Sequence, residues 1–406
     1  MPMSEEVLKQ QQIDFLEALQ ADFPDHVPGT RPVHSVGVGA IGWFRATHSA
    51  AIYCKARHFS REWIPVRVRF SNGNGQNDPD GRLQIRGLAI RFYLGGTIKD
   101  DEAGVEHPPT GEPTHTVREG GNWPIVAKSD TPIEITDLLC MSVPTFMADS
   151  LAVALEFAHA FAPQKIRRPG PIARLKSLAT MCPIPPQEHG ATASGVNGGL
   201  AFAGRYTQAQ SFVVESSMLR LPTSYTRTVY HAVHAFELEG SDGTKRMGRF
   251  FLEPSDGVRA EGPPEPTRSP LKAAMLQPTV NAHGATLADR YLAAQLAERL
   301  ARGPTRFNVR VQIADPWDDT SDPTKQWNMN RQRVLMGTLR LDRLVGDQDA
   351  ECEELGFNPG RLVDGIAPSD DPVFAARVGA YEESYRRRIT ARGKPIAASE
   401  CPLARR

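Results

Sequence analysis

Two rhythms of apolar and polar positions run along this chain. Residues 4–20 place Leu8, Phe15, Leu16 and Leu19 on one helical stripe, with Ser4 positioned to cap it and Pro24 to end it. From Val33 to Phe92 the period shortens. VHSVGVGAIGWF (33–44), AAIYCKA (50–56), PVRVRFS (65–71) and LQIRGLAIRFYL (83–94) are short β-branched and aromatic runs split by Gly, Asn, Asp and Pro, which predicts strands. SNGNGQNDPDG (71–81) has hairpin-loop chemistry. Residues 95–136 are rich in Gly, Pro and Thr and read as a long surface excursion, 143–163 as helical, and 166–190 as basic and then proline-rich. Strand patterns return at 210–216, 231–240, 245–254 and 306–314, with an SDG turn joining the second and third. Residues 255–270 read as a loop. Leu292, Leu296 and Leu300 mark a helix over 287–302, stopped by Gly303-Pro304. Asp371-Pro372 opens a last helix over 371–388. Strands and helices do not alternate regularly, so the pattern predicts an α+β fold with an antiparallel sheet or barrel.

Bulk properties narrow the function. The 406 residues carry 47 basic and 47 acidic side chains, so no global charge draws the chain to nucleic acid or to anionic membrane. No apolar run approaches the ~20 residues that span a bilayer. The start, MPMSEEVLKQQQIDF, lacks the basic and then apolar blocks of a signal peptide, which makes a cytoplasmic location the expectation. Five widely spaced cysteines form no C-x-x-C pair, so zinc knuckles, dithiol redox sites and c-type haem attachment lack support.

Gly37-Val38-Gly39-Ala40-Ile41-Gly42 spells the G-x-G-x-x-G of a dinucleotide loop. That loop needs a helix after its glycines, so that a pyrophosphate rests on the helix N-terminus. Here Trp43-Phe44 and more strand-like sequence follow, and the better reading is a strand that another group approaches closely. On such a strand His34 shares a face with Val36 and Val38 unless a bulge intervenes, and taken alone it reads more readily as a hydrogen-bonded core residue than as a catalyst. In the last helix Phe374, Val378, Tyr381 and Tyr385 share a stripe, and Arg377 lies one turn before Tyr381. An amphipathic helix with a basic tail is one reading. The other is that Arg377 holds Tyr381 as a phenolate. A free phenol (pKa ~10) is scarcely ionised near neutrality, and a guanidinium and a ferric ion both favour its anion.

With these residues in view the chain resembles the haem catalase superfamily, in its smaller catalase-related peroxidase branch. RPVHSVGVGAIGWF resembles the distal-histidine strand, PVRVRFSNGNG the R-F-S segment, RGLAIRFY the strand that follows, and TDLLCMSVPTFMADS the distal-asparagine segment. VYHAVHAFELEGSDGTKRMGRFFLEP resembles a barrel hairpin. DPTKQW and FNPGRLVDGIAPSDDPVFAARVGAYEESYRRR resemble the proximal stretch. The match runs in order from about 30 to 390, with insertions near 95–136 and 255–286.

The resemblance implies a catalase-like antiparallel β-barrel with flanking helices and non-covalent haem b. It implies an N-terminal helix or arm (1–30), a single haem domain (31–390) and a C-terminal tail (391–406). Tyr381 is then the axial ligand, with Arg377 bonded to its oxygen and His234 in the network around Arg377. His34 is the distal base, Ser71 holds its ring, Val33 packs on the haem face, and Arg31, Arg69 and Arg388 neutralise the propionates. The implied reaction is reduction of hydrogen peroxide or an organic hydroperoxide by an organic electron donor. Rearrangement of lipid hydroperoxides and a non-catalytic haem-binding role are the alternatives, and a homo-oligomer is compatible with the resemblance.

One position departs from the family. Met141 stands where a catalase has its distal asparagine. A distal donor is typically worth ~3 kcal/mol, so catalase activity is expected to be weak or absent. Ser142 is the neighbouring hydroxyl that offers a substitute. Met141 either lines a pocket for a bulkier, apolar hydroperoxide or fills space beside a small one.

Overall fold

The computed structural model describes residues 5–21, 26–73, 80, 84–99, 106–107, 125–127, 133–161, 202–258, 260–261 and 290–395. The expected loops over 71–81, 166–190 and 255–270, most of the 95–136 excursion, the Ser4 cap and residues 287–289 lie partly or wholly outside them.

Eight strands close into an antiparallel barrel: β1 (Gly37–Ala46), β2 (Trp63–Asn72), β3 (Arg86–Leu94), β7 (Glu134–Met141), β9 (Tyr230–His231), β11 (Lys245–Pro254), β13 (Thr305–Ile313) and β14 (Arg333–Leu344). The order around the barrel is β13-β14-β1-β2-β3-β7-β9-β11, and β11 pairs back to β13. β10 (Phe236–Glu239) forms the expected hairpin with β11, and β15 (Ile366–Pro368) extends that side. β4 (Gly96–Lys99), β5 (Glu106–His107) and β6 (Ile125–Ala127) make a small separate sheet, and β8 (Leu221–Pro222) pairs β12 (Ala260–Glu261).

The side-chain period of two sends alternate residues inward. Val38, Ala40 and Phe44 of β1, the even residues from Ile64 to Phe70 of β2, and Leu88, Ile90 and Phe92 of β3 form one buried cluster with Phe250, Leu252, Phe307, Val309 and Leu339. The odd residues, among them Gly37, Gly39, Arg69, Ser71 and Gly87, therefore lie on the outer face. On β14 a bulge at Met336 shifts the register against β13, so Val334 and Met336 point inward before it and Leu339 and Leu341 after it. That break in alternation is why this strand carried no clear signal.

Helices flank the barrel: α1 (Glu5–Ala21), α2 (Ala50–Tyr53), α3 (Leu151–Phe161), α4 (Gln210–Ser217), α5 (Tyr291–Ala301) and α6 (Pro372–Ala391). Asp371 caps α6, accepting from Val373 N at 2.8 Å and Phe374 N at 3.3 Å. α1 packs on α3 and α6, with Gln12 so close to Gly379 that a Cβ there would lie 2.1 Å from its side chain. None of the helices, among the described residues, is long and apolar enough to cross a membrane.

Three expectations are corrected. Residues 50–56 hold one helical turn rather than a strand, because five consecutive apolar or small residues offer no alternation to a sheet. Residues 210–217 are helical despite Val213-Val214. Phe212 packs edge-on against Phe157 of α3 at 5.7 Å, and this tertiary contact overrides β propensity. Among the described residues of the expected helix 143–163, only Leu151–Phe161 is helical.

Inside the barrel His58 sits among Phe44, Phe59 and Phe92 at 4% exposure, and its Nδ1 finds no hydrogen-bond partner. Burial pushes its pKa from 6.5 down to about 3. The unfolded chain takes up this proton below 6.5 while the native one does not, so the contribution to stability is intact above 6.5 and lost as pH falls toward 3. At pH 5 the wild type is expected to lose about 2 kcal/mol through this residue relative to pH 8. His58→Leu should show that much less pH dependence in denaturant titrations at the two pH values. Equal pH dependence in both proteins would contradict the assignment.

Candidate active site

One register row crosses the outer face of the barrel: Gly37, Ser71, Gly87, Met141 and His231 pair in succession. His34 lies over this row. Its Nδ1 is 3.0 Å from Ser71 Oγ. A Cβ on Gly87 would fall 2.6 Å from Ser71 Oγ and 2.8 Å from His34 Nδ1, so only glycine leaves room for the imidazole. His34 is not on a strand. It precedes β1 with φ 54°, in the left-handed region uncommon for non-glycine residues, and its N–H donates to Gly73 O at 3.2 Å. Strand parity therefore does not decide its direction. Burial first, then the charges of Arg69, Arg377 and Arg31, push its pKa down to about 3, which keeps the imidazole neutral near pH 7.

The three glycines of 37–42 have separate reasons, and no helix follows them. A Cβ on Gly37 would lie 2.3 Å from Arg69 Cζ, one on Gly39 2.8 Å from Cys352 Cβ, and one on Gly42 2.0 Å from Arg340 O. They let a guanidinium, a turn and a bulged strand lie flush on β1; this stretch is not a nucleotide loop.

The second half of the site hangs from α6. Tyr381 lies one turn after Arg377, whose Nη2 donates to the phenol oxygen at 3.0 Å. Arg377 Nη1 meets His234 Nε2 at 2.6 Å, and His234 Nδ1 meets Asp371 Oδ2 at 2.5 Å. A guanidinium only donates, so Nε2 accepts and the ring proton on Nδ1 goes to Asp371. Burial is the main cause that holds the His234 pKa down, at about 4, and so keeps it neutral. Asp371 was legible as a helix cap, but its second role, orienting His234, has no signal in the linear chain.

The third group is basic. Arg31 and Arg69 both pair with Glu353, the latter at 2.8 Å, and Arg388 Nη2 donates to Leu355 O at 3.1 Å. Glu353 went unnoticed in the sequence because it belongs to no motif. Val33 is half-buried beside His34. Met141 is buried with Val143, Phe146 and Phe212. Ser142, one residue past the end of β7, accepts from Arg86 N at 2.9 Å.

The family model described as Catalase matches residues 5–100 and 205–404. The chain belongs to the catalase family. Among its relatives, a catalase-related peroxidase of Mycolicibacterium paratuberculosis is 30% identical over 89% of this chain and 90% of its own. A catalase-related peroxidase of Synechococcus elongatus is 27% identical over 92% and 87%. Catalase isozyme 1 of Solanum tuberosum is 25% identical, but this chain spans only 60% of its length. A solved bacterial catalase superposes with a TM-score of 0.61 at 21% identity, over 91% of this chain and 59% of that one, which is a likeness of fold.

Catalase-family membership implies a haem, and the basic group fits one. Arg31 and Arg69 share one close carboxylate, Glu353, and Arg388 donates to the main-chain carbonyl of that residue. Burial, then repulsion from Arg31, pushes Arg388 down to about 8, and burial with repulsion from Arg69 pushes Arg31 to about 10. Arg388 Nε is buried with no partner. Two propionate carboxylates are the charge and the acceptors that this cluster lacks.

Proposed function

We propose that this catalase-family chain is a haem-dependent peroxidase. It reduces hydrogen peroxide or organic hydroperoxides with an organic electron donor and disproportionates peroxide weakly. Residues 31–390 serve as one haem domain, with haem b held non-covalently. The observation that carries this reading is the hydrogen-bond chain Asp371–His234–Arg377–Tyr381, which ends on a phenol oxygen and aims a fixed positive charge at it.

When bound, the haem supplies the iron at which a peroxide O–O bond is broken and through which a donor's electrons pass. Tyr381 would hold the iron through its phenolate, which the guanidinium of Arg377 favours. Arg377 is kept in place by His234, and His234 by Asp371. Arg31, Arg69 and Arg388 would hold the propionates, and Val33 would pack on the ring. His34 would take the proton from one peroxide oxygen and return it to the leaving oxygen. Ser71 supports this by fixing Nδ1: when Nδ1–H donates to Ser71 Oγ, Nε2 keeps its lone pair for the proton. Met141 offers no hydrogen bond at the position two strands away, where charge develops, and such a donor is typically worth ~3 kcal/mol. That deficit supports the weak catalase activity.

The purified protein is expected to show a Soret band. It is also expected to oxidise a chromogenic phenol with hydrogen peroxide or an organic hydroperoxide faster than the same amount of free haem. Donor oxidation no better than free haem ends the peroxidase reading. Conversion of a lipid hydroperoxide to a rearranged product with the donor untouched replaces it with a rearranging enzyme.

A further inference from the structure

Three arginines of the candidate site meet on one residue. Glu353 closes a π-helical turn, Asp349–Glu353. Its Oε1 accepts from Arg69 Nε at 2.8 Å, its Oε2 from Arg31 Nη1, and its carbonyl from Arg388 Nη1. The turn is keyed to the barrel. Gln348 accepts from Gly39 N at 2.7 Å and donates to Gly39 O at 3.0 Å. Cys352 fills the space over Gly39, and Arg392 Nη1 reaches Asp349 Oδ1 at 2.6 Å. Glu353 is thus as fixed as the strand it rests on.

Arg69 carries that fixed point to the other side of the site. Its Nη1 donates to His34 O at 2.8 Å and its Nη2 to Ser35 O at 3.2 Å. These are the carbonyls of the residue with φ 54° and of the next one. A non-glycine residue keeps such a backbone only where its surroundings over-determine it. A guanidinium that grips two carbonyls can still swing about its own stem. The Nε–Oε1 contact and the charge on Glu353 stop that motion by fixing the plane of the fork.

We propose that Glu353 is a positioning residue for His34: through Arg69 it locks the left-handed His34–Ser35 backbone and so sets where the imidazole points. The proposal rests on the reading of His34 as the proton-transfer group and adds to it a control from the turn that rests on β1. The carboxyl is held ionised, since Arg69 and Arg31 outweigh the opposing effect of burial and bring its pKa to about 2. The lock therefore persists wherever His34 is neutral.

The test uses full-length wild type and Glu353→Gln, an isosteric change that removes the charge. Two measurements read the lock. Hydrogen–deuterium exchange by mass spectrometry follows the segment 31–38. Cyanide association with the haem-loaded protein is followed at the Soret band, because hydrogen cyanide must give up its proton as it binds. The variant is expected to bind cyanide about tenfold more slowly, a modest share of what a misplaced catalytic group costs. Its haem content is expected to stay at the wild-type level. Exchange is expected to quicken in 31–38 while β11 and β13 keep wild-type protection. Wild-type cyanide kinetics and exchange in the variant overturn the proposal, including the case in which only its melting temperature drops. A wild type that takes up no haem defeats the peroxidase reading instead, and the exchange pattern alone then decides: unchanged exchange in 31–38 overturns the lock, and quickened exchange upholds it.

Discussion

Tyr381→Phe is expected to strip the protein of its haem. The phenyl ring keeps the packing of the half-buried tyrosine on α6 but removes the oxygen that Arg377 Nη2 addresses at 3.0 Å. With no anion to coordinate the metal, haem per chain should fall to roughly a tenth of the wild-type value or less. The arginines proposed to hold the propionates would contribute attraction but no iron ligand. The fold should survive. Arg377 keeps its bond to His234, and one lost hydrogen bond costs about 1 kcal/mol. The ratio of Soret to 280 nm absorbance, read beside far-UV circular dichroism, checks this. A phenylalanine variant that keeps its haem and an unchanged Soret band would remove the basis of the proposed function.

His34→Ala is expected to slow the reaction with hydrogen peroxide by 10²–10⁴, the usual contribution of a positioned acid–base group, while haem content stays near the wild-type level. The wild-type imidazole is neutral because burial and three nearby guanidiniums push its pKa to about 3, and it is oriented by Ser71 Oγ at 3.0 Å. Alanine removes both the base and its orienting contact. The left-handed backbone at this position complicates the comparison, so His34→Gly belongs beside it, since glycine relieves that conformation. If the histidine acts through its ring, both variants are slow. Stopped-flow rates within twofold of wild type in either one would show that the ring transfers no proton in the step measured.

The two halves of the site differed in how far they could be read from sequence. Arg377 and Tyr381 are four residues apart on a helix, and a spacing of one turn already places them side by side. Asp371 likewise announced itself as a cap. His34 was harder. It lies just outside β1 with a left-handed backbone, so the alternation that sorts strand residues into faces does not apply to it. The glycines around it carried a true signal of close approach, but not what approaches: Arg69 at Gly37, Cys352 at Gly39, a bulged strand at Gly42. Two strand expectations failed where packing won over local propensity, at Ala50–Tyr53 and Gln210–Ser217.

Sequence by itself determined the barrel strands with unbroken alternation, the helix that carries Tyr381, and a family resemblance spread over segments in order. Those properties depend on neighbours within a few residues, where the periods of 2.0 and 3.6 decide which side chains share a face. Only the tertiary structure decided the partners. Glu353 lies 322 positions from Arg31 and 284 from Arg69, and His234 lies 137 from Asp371. No local period links such distances. Closing the barrel puts these charges together in a dry layer on its outer face, where each must find a partner, and that requirement selects the pairings.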